Sequence, residues 1–151
     1  MIDSVSIRLA TASEKETLEA LQFRASIHNP GDREAVIAHP DAIVLPFDQI
    51  EAGQVFVAED STGVLGFSAV LVREDGSIDL DGLFVEPGIW GRGIGRRLVE
   101  YSCDYARAKG ALTLHVIGNP HAKGFYAACG FETTGIHQTR FGVGLSMQRR
   151  L

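Results

Sequence analysis

The chain has 151 residues, of which 45% are hydrophobic and 22% are charged, a composition typical of one folded domain over residues 1–151 and not of a disordered chain. Its formal net charge of −5 argues against binding to nucleic acid or to anionic membranes. Two cysteines without metal-ligand spacing exclude a disulfide framework and predict no metal site. The N-terminal segment is not typical of a secretory signal, and no apolar run is long enough to span a membrane, so we expect a cytoplasmic protein.

Hydrophobic periodicity predicts a strand and two helices in the first third of the chain. Apolar and polar residues alternate over residues 4–10, which is typical of a strand. Ser13, with Glu16 three residues later, predicts a capping box at the start of a helix that ends at Asn29. A short second helix is predicted over residues 32–39.

The rest of the chain predicts a meander followed by alternating strands and helices. After a loop with some local order, turn residues separate three strand signals, at residues 54–59, 64–73 and 77–85. Next come a helix closed by Gly110, a strand, a helix that begins at Asn119, and two last strands, at residues 131–139 and 141–149. We therefore predict a mixed α/β (α+β) fold with a mostly antiparallel central sheet of about seven strands flanked by about four helices.

The charges are unevenly distributed along the chain. Residues 1–90 carry 16 acidic and 5 basic side chains, whereas residues 91–151 carry 3 acidic and 9 basic ones. Either this is a chance gradient across a solvated surface, or the basic half holds an anion and the acidic half receives a cation. Composition leaves both interpretations open.

Residues 90–95, Trp-Gly-Arg-Gly-Ile-Gly, form a glycine loop between a predicted strand and a predicted helix. A helix N-terminus attracts phosphate, because its first N–H groups lack partners and the helix dipole is positive there. Arg92, Arg96 and Arg97 add positive charge. The G-x-G-x-G spacing and the lack of an acid on the next strand disfavour a dinucleotide site, and no Gly-Lys-Ser/Thr P-loop is present.

Two blocks carry a family resemblance: residues 79–110, which contain the glycine loop, and residues 112–135, which contain N-P-x-A-x-x-F-Y-x-x-x-G-F. Together they resemble the GNAT superfamily of acyl-CoA-dependent N-acyltransferases. The resemblance implies acetyl-CoA as co-substrate, with its pyrophosphate on the backbone of Arg92, Gly93, Ile94, Gly95 and Arg96. It implies pairing of the pantetheine arm with the strand residues Leu83, Phe84 and Val85, and a contact from Asn119. The family usually has Gln or Arg where Trp90 stands, so we expect Trp90 to be a packing residue.

Acyl transfer to an amine needs a neutral amine, a hydrogen-bond donor for the thioester oxygen and a proton for the leaving thiolate. The resemblance makes Tyr126 the general acid, and it makes a backbone N–H at or next to Val85 the oxyanion donor. The alternative for Tyr126 is a core aromatic residue. Gly82 is expected to mark a bulge that opens the slot between strands.

Asp79 and Asp81 are the predicted base or amine anchor. They are two residues apart and therefore expected on one face of the strand, with Ile78, Leu80 and Phe84 on the other. Asp79 ranks first, since some members of the family have a glutamate at its position. The alternatives are two solvated strand acids, His115, Glu59 or a water.

The resemblance therefore implies an N-acetyltransferase that moves the acetyl group of acetyl-CoA to a primary amine, on a small cationic molecule or a peptide, by direct transfer in a ternary complex. The alternative is a non-catalytic acyl-CoA-binding module of the same fold. The expected partners are acetyl-CoA and an amine acceptor, without nucleic acid or membrane, and a homodimer is compatible with the sequence. Arg24 is either solvated or free to pair with an acceptor carboxylate.

Overall fold

The computed structural model describes residues 4–151, which contain seven strands and five α-helices. The strands are β1 (Ser6–Leu9), β2 (Val55–Asp60), β3 (Gly63–Val72), β4 (Ile78–Val85), β5 (Thr113–Gly118), β6 (Glu132–Thr139) and β7 (Gly142–Arg150). The helices are α1 (Lys15–His28), α2 (Arg33–Ala38), α3 (Phe47–Glu51), α4 (Ile94–Ala108) and α5 (Lys123–Ala128). The predicted mixed fold is confirmed, and α3 lies in the segment predicted as a loop with local order.

All seven strands belong to one sheet, in the order β1–β2–β3–β4–β5–β7–β6. Neighbouring strands in this sheet are antiparallel except for β4 and β5, which are parallel and are connected by the crossover helix α4. Register pairs join residues 78–80 of β4 to residues 114–116 of β5. Beyond Leu80, none of the described residues of β4 pairs with β5, so the two strands diverge and leave a gap in the sheet.

Helices cover both faces of the sheet, and this explains why β2 and β3 are almost continuously buried. On one face, Val99, Cys103 and Ala106 of α4 pack with Leu80 and Leu114 in the larger apolar core. On the other face, α1 and α3 contribute to a second core of buried residues that includes Leu18, Leu21, Ile50, Val57 and Phe67. Within residues 4–151, no helix is long and apolar enough to cross a membrane.

A bulge in β4 changes which side chains share a face. Ala69 of β3 is opposite Gly82 and the next residue, Val70, is opposite Leu80, so Asp81 is an extra residue in β4. The expectation of a bulge at Gly82 is confirmed to within one residue. The expectation that Phe84 lies on the face of Leu80 is wrong, because the extra residue shifts the alternation and turns Phe84 toward the α1 side.

The start of α1 is held by an ion-pair network that the sequence pattern did not predict. The capping box consists of Thr11 and Glu14, not Ser13 and Glu16, because a 3₁₀ turn precedes the α-helix. Glu14 accepts the Thr11 N–H at 2.9 Å and also pairs with Arg8 at 2.9 Å. Hydrogen bonding to Arg8 lowers the pKa of Glu14 from about 4.5 to about 2.

Candidate functional site

A cavity of about 770 Å³ opens at the gap where β4 and β5 diverge. Its walls come from the second half of β4, the glycine loop, the end of β5, helix α5, the loop between α1 and α2, and the β6–β7 turn. Among the described residues, its lining carries two carboxylates, Asp32 and Asp81, one guanidinium, Arg96, and the imidazole of His121. The acids come from the acidic half of the chain and the bases from the basic half.

The glycine loop presents the start of α4 to this cavity. Gly93 is the residue before the helix and has a φ of +82°, a conformation that favours glycine. The amides that follow, at Ile94, Gly95 and Arg96, open the helix and therefore lack intrahelical acceptors. Gly93, Ile94, Gly95 and Arg96 all line the cavity, whereas the exposed Arg92 does not. The loop thus has the geometry of an anion-binding cradle.

The edge of β4 that faces the gap has backbone donors at alternate residues. The Glu86 amide donates to the Leu65 carbonyl of β3 at 2.8 Å. Because successive N–H groups of a strand point to opposite edges, Val85 and Leu83 direct theirs toward the gap. Phe84 directs its N–H toward β3, and its ring packs on Phe67 with 5.3 Å between centroids. The predicted oxyanion donor, Val85, therefore faces the cavity.

Two contacts hold the end of β4 in place. The indole N–H of Trp90 donates to the Val85 carbonyl at 2.8 Å, while its ring is 48% exposed and meets His28 edge-on. Trp90 thus connects the glycine loop to β4 through a hydrogen bond that the sequence did not predict. Arg24 of α1 donates to Glu86 at 2.8 and 2.9 Å and lowers the pKa of that carboxyl, so its guanidinium is paired within the protein.

Tyr126 of α5 reaches the cavity from beneath β5. It is 8% exposed, and its ring packs edge-on against Phe125 and Phe131 at 5.2 and 5.5 Å between centroids. The ring needs Gly118 beside it, since a Cβ there would lie 3.1 Å from Tyr126 Cε2 and 2.5 Å from Met147 Cε.

The hydroxyl of Tyr126 is free to serve a ligand. It makes no hydrogen bond to any residue within 4–151. Every solvent-inaccessible side-chain oxygen or nitrogen of that region has a hydrogen-bond partner, so the Tyr126 oxygen must be accessible. It is therefore open to the cavity that Tyr126 lines. Burial raises the pKa of the phenol above its usual value of about 10, so the group stays protonated and can donate.

Asn119 connects the end of β5 to the loop between α1 and α2. Its Oδ1 accepts the His121 N–H at 2.9 Å, which confirms the predicted N-cap. Its Nδ2 donates to Asp32 Oδ1 at 3.0 Å. A Cβ on Gly31 would lie 1.8 Å from Asn119 Nδ2, so only glycine allows the loop to sit this close. The contact of Asn119 with a cofactor stays a prediction.

The two predicted strand acids lie in different environments. Asp81 sits on the bulge, is exposed and lines the cavity, with Gln49 Nε2 3.4 Å from its Oδ2. Asp79 forms an ion pair with Arg73 near the β3–β4 turn and does not line the cavity. His115, its neighbour on β5, does not line it either. The geometry favours Asp81 over Asp79, and the catalytic roles of both stay predictions.

Comparison with known proteins agrees with this geometry. A family model described as "Acetyltransferase (GNAT) family" matches residues 19–131. The chain belongs to the GNAT acetyltransferase family. Glucosamine 6-phosphate N-acetyltransferase 1 from Oryza sativa subsp. japonica is 38% identical to this GNAT chain over 85 residues, which cover 51% of the chain and 52% of that protein. The match therefore spans about half the length of this curated relative.

Solved structures share the fold of this GNAT chain over nearly its whole length. A GCN5-related N-acetyltransferase from Rhodopseudomonas palustris, also described as a class-II aminotransferase, is 25% identical with a TM-score of 0.78 and coverage of 100% and 99% of the two chains. The PaiA N-acetyltransferase from Thermoplasma acidophilum, solved in complex with coenzyme A, is 18% identical with a TM-score of 0.77 and coverage of 98% and 99%. The latter likeness concerns the fold alone.

Asp32 is the residue at this cavity that the sequence patterns missed. It follows the Asn-Pro-Gly turn that ends α1 and precedes α2, where an acid is an ordinary helix-start residue. The one local signal is the glycine before it, which permits the close approach to Asn119. Only the folded chain shows that this loop closes over the gap between β4 and β5.

Proposed function

We propose that this protein transfers the acetyl group of acetyl-CoA to a primary amine by direct attack in a ternary complex. The observation that carries the proposal is the cavity at the β4–β5 gap, because it gathers an anion cradle, free strand donors and an open phenol around one space. Membership of the GNAT acetyltransferase family supports the reaction class. The coenzyme A bound to the Thermoplasma protein supports an acyl-CoA ligand for this fold.

The residues of the cavity fit an acyl-CoA. The amides of Gly93, Ile94, Gly95 and Arg96 would bind the diphosphate, and Arg92 would add positive charge from the loop surface. The backbone of Leu83 and Val85 would pair with the amides of the pantetheine arm, with Phe84 between them holding the strand against β3. Asn119 would contact the arm from the β5 side.

The reaction needs a donor for each charge that develops on the acetyl donor. When the amine attacks the thioester carbon, the carbonyl oxygen gains charge, and the Val85 N–H would stabilise it. As the C–S bond breaks, the thiolate leaves, and Tyr126 would give it a proton. The nitrogen of the tetrahedral intermediate would release its extra proton through water to the Tyr126 oxygen, which restores the phenol and leaves a neutral amide. Holding both substrates in one cavity lowers the entropic part of the barrier.

The amine must also lose a proton, since an ammonium has no lone pair for attack. Asp81 would take this proton through a bridging water, because its carboxylate lies on the cavity lining while that of Asp79 is bound to Arg73. Asp79 would then act mainly on the shape of the β3–β4 hairpin. We propose a small cationic molecule as the acceptor, since both carboxylates of the lining attract a cation.

A thiol-release assay tests the proposal. Purified protein is incubated with acetyl-CoA and a panel of diamines, amino acids, amino sugars with and without phosphate, and peptides, with an amine-free control. We expect amine-dependent release of coenzyme A and an acetylated product by mass spectrometry. Coenzyme A binding by calorimetry without thiol release for any amine would instead indicate a non-catalytic acyl-CoA-binding module. Absence of coenzyme A binding would refute the assignment of the cavity as an acyl-CoA site.

A further inference from the structure

The carboxylate of Asp32 is fixed at the cavity by its neighbours. Asn119 Nδ2 donates to Asp32 Oδ1 at 3.0 Å, and Asn119 is itself oriented by the N–H of His121. The adjoining Gly31 packs directly on the Asn119 amide, which leaves the loop little freedom to withdraw. The contact with Asn119 uses one carboxylate oxygen, so Oδ2 can accept a hydrogen bond from a ligand.

Asp32 and the Tyr126 phenol line the same cavity, in which the reaction is proposed to occur. The end of β5 links them, because Asp32 accepts a hydrogen bond from Asn119 and the Tyr126 ring lies beside the adjoining Gly118. Burial, with a smaller contribution from the Asp32 charge, raises the pKa of the phenol. A group that binds to Asp32 would therefore lie in the same cavity as a thioester next to Tyr126.

The remaining charges of the cavity give Asp32 a distinct role. Arg96, the one guanidinium among the described lining residues, belongs to the glycine loop at the start of α4, so it would be used for the diphosphate. Within residues 4–151, no lysine lines the cavity. A positively charged acceptor is thus favoured by Asp32 and Asp81, whereas a phosphate on the acceptor would be repelled by them.

We propose that Asp32 binds the ammonium group of the acceptor and selects alkylamine cations over uncharged or phosphorylated amines. This inference rests on the proposed acetyl transfer and adds its substrate class. The ammonium donates to the free oxygen of Asp32, loses one proton through water toward Asp81, and attacks the thioester as the neutral amine. A remaining N–H keeps its hydrogen bond to Asp32 during the attack, while Asn119 holds the carboxylate in position.

Equilibrium binding to the coenzyme A complex tests this inference without requiring turnover. Benzylamine is protonated near neutral pH, while aniline, of nearly the same shape, is uncharged. Binding of each amine to protein saturated with coenzyme A is measured by calorimetry for the wild type, Asp32→Asn and Asp32→Ser. We expect the wild type to prefer benzylamine, and both variants to bind it roughly tenfold or more weakly, since a charge-assisted hydrogen bond is lost. Aniline binding should stay within about twofold.

The matched control is Glu34→Gln, which removes an exposed carboxylate from α2 that does not line the cavity. It should bind both amines like the wild type. Unchanged thermal melting and coenzyme A affinity of the Asp32 variants show that they are folded, and asparagine and serine both remain suitable helix-start residues. If Asp32→Ser alone fails to fold, Asp32→Asn decides.

Three results would overturn the inference. The first is equal benzylamine binding by the wild type and the folded Asp32 variants, and the second is no binding of benzylamine by the wild type. The third is tighter wild-type binding of glucosamine 6-phosphate than of glucosamine, because the two carboxylates should disfavour the phosphate. Absence of thiol release with any amine would instead refute the proposed acetyl transfer, so the failures of the two proposals are distinguishable.

Discussion

Replacing Tyr126 with phenylalanine separates the role of its hydroxyl in catalysis from the role of its ring in folding. The substitution removes one hydroxyl and leaves the ring, which packs on Phe125, Phe131 and Gly118, in place. The hydroxyl has no hydrogen-bond partner within residues 4–151, so no protein group is left unsatisfied. We therefore expect the free energy of unfolding to change by less than about 0.5 kcal/mol.

The catalytic effect should be much larger. The leaving thiolate would lose its proton donor, and general acid catalysis contributes roughly 10²–10⁴-fold to a rate. We expect kcat of Tyr126→Phe to fall by about that factor, with little change in acetyl-CoA affinity, because the hydrogen bond is needed mainly in the transition state. Since burial raises the phenol pKa above about 10, the wild-type kcat should not decline through loss of this proton at moderately alkaline pH.

The assay is single-turnover thiol release, so that product release does not mask the chemical step. Tyr105→Phe provides the control, because Tyr105 is a partly buried tyrosine that lies on α4 against Phe56 and does not line the cavity. It should retain the wild-type rate. Equal single-turnover rates for Tyr126→Phe and the wild type would refute general acid catalysis by Tyr126 and leave it a packing role. A loss of stability above about 2 kcal/mol would refute the argument that its hydroxyl is unpaired.

Three further outcomes follow from the described geometry. Gly93→Asp should abolish coenzyme A binding measured by calorimetry. The control is Gly110→Asp, because Gly110 has a nearly identical φ of +83° beyond the other end of α4; it should lose similar stability and retain binding. Equal coenzyme A affinities of the two variants would contradict the anion cradle. Asp81→Asn should weaken the rise of kcat/KM with pH and lower the salt dependence of the acceptor KM, and Asp79→Asn should change both less; the opposite order would favour Asp79 as the base. Glu14→Gln should lower the free energy of unfolding by about 1 kcal/mol at neutral pH. This difference should disappear as the pH falls from about 4.5 toward about 2, because the stabilisation exists only while the Glu14 carboxyl is ionised. Denaturant titrations at several pH values measure the difference, and a value that does not vary with pH would contradict the reasoning.

The features that sequence predicted well are those that depend on local chemistry. Gly93 and Asn119 were identified because a helix start imposes the same requirements wherever it occurs in a fold. The sequence predicted a mostly antiparallel sheet of about seven strands, but it did not predict the register between neighbouring strands. Phe84 shows why, since one extra residue at Asp81 reverses the alternation beyond it. Gly82 indicated a bulge, but it did not indicate on which face the residues beyond the bulge would lie.

The features that sequence did not predict depend on contacts between distant segments. Asp32 and Asn119 are 87 residues apart, and Arg24 and Glu86 are 62 residues apart. Neither pair has a local signature, because each partner is an ordinary polar residue in its own segment. Trp90 belongs to the same group, since a tryptophan in a loop is equally compatible with packing and with hydrogen bonding through its indole N–H.

The short parallel pairing between β4 and β5 also bears on how the protein opens. The strands on either side, β1–β4 and β5–β7, are joined there by backbone contacts over residues 78–80 and 114–116 alone among the described pairs. One apolar core is shared by both parts, so we expect the sheet to open as a whole, while the amides of Leu83 and Val85, which point into the gap, exchange early in native-state hydrogen exchange. A ligand that spans the gap would act as an additional strand, protect those amides and raise the unfolding temperature as its concentration increases.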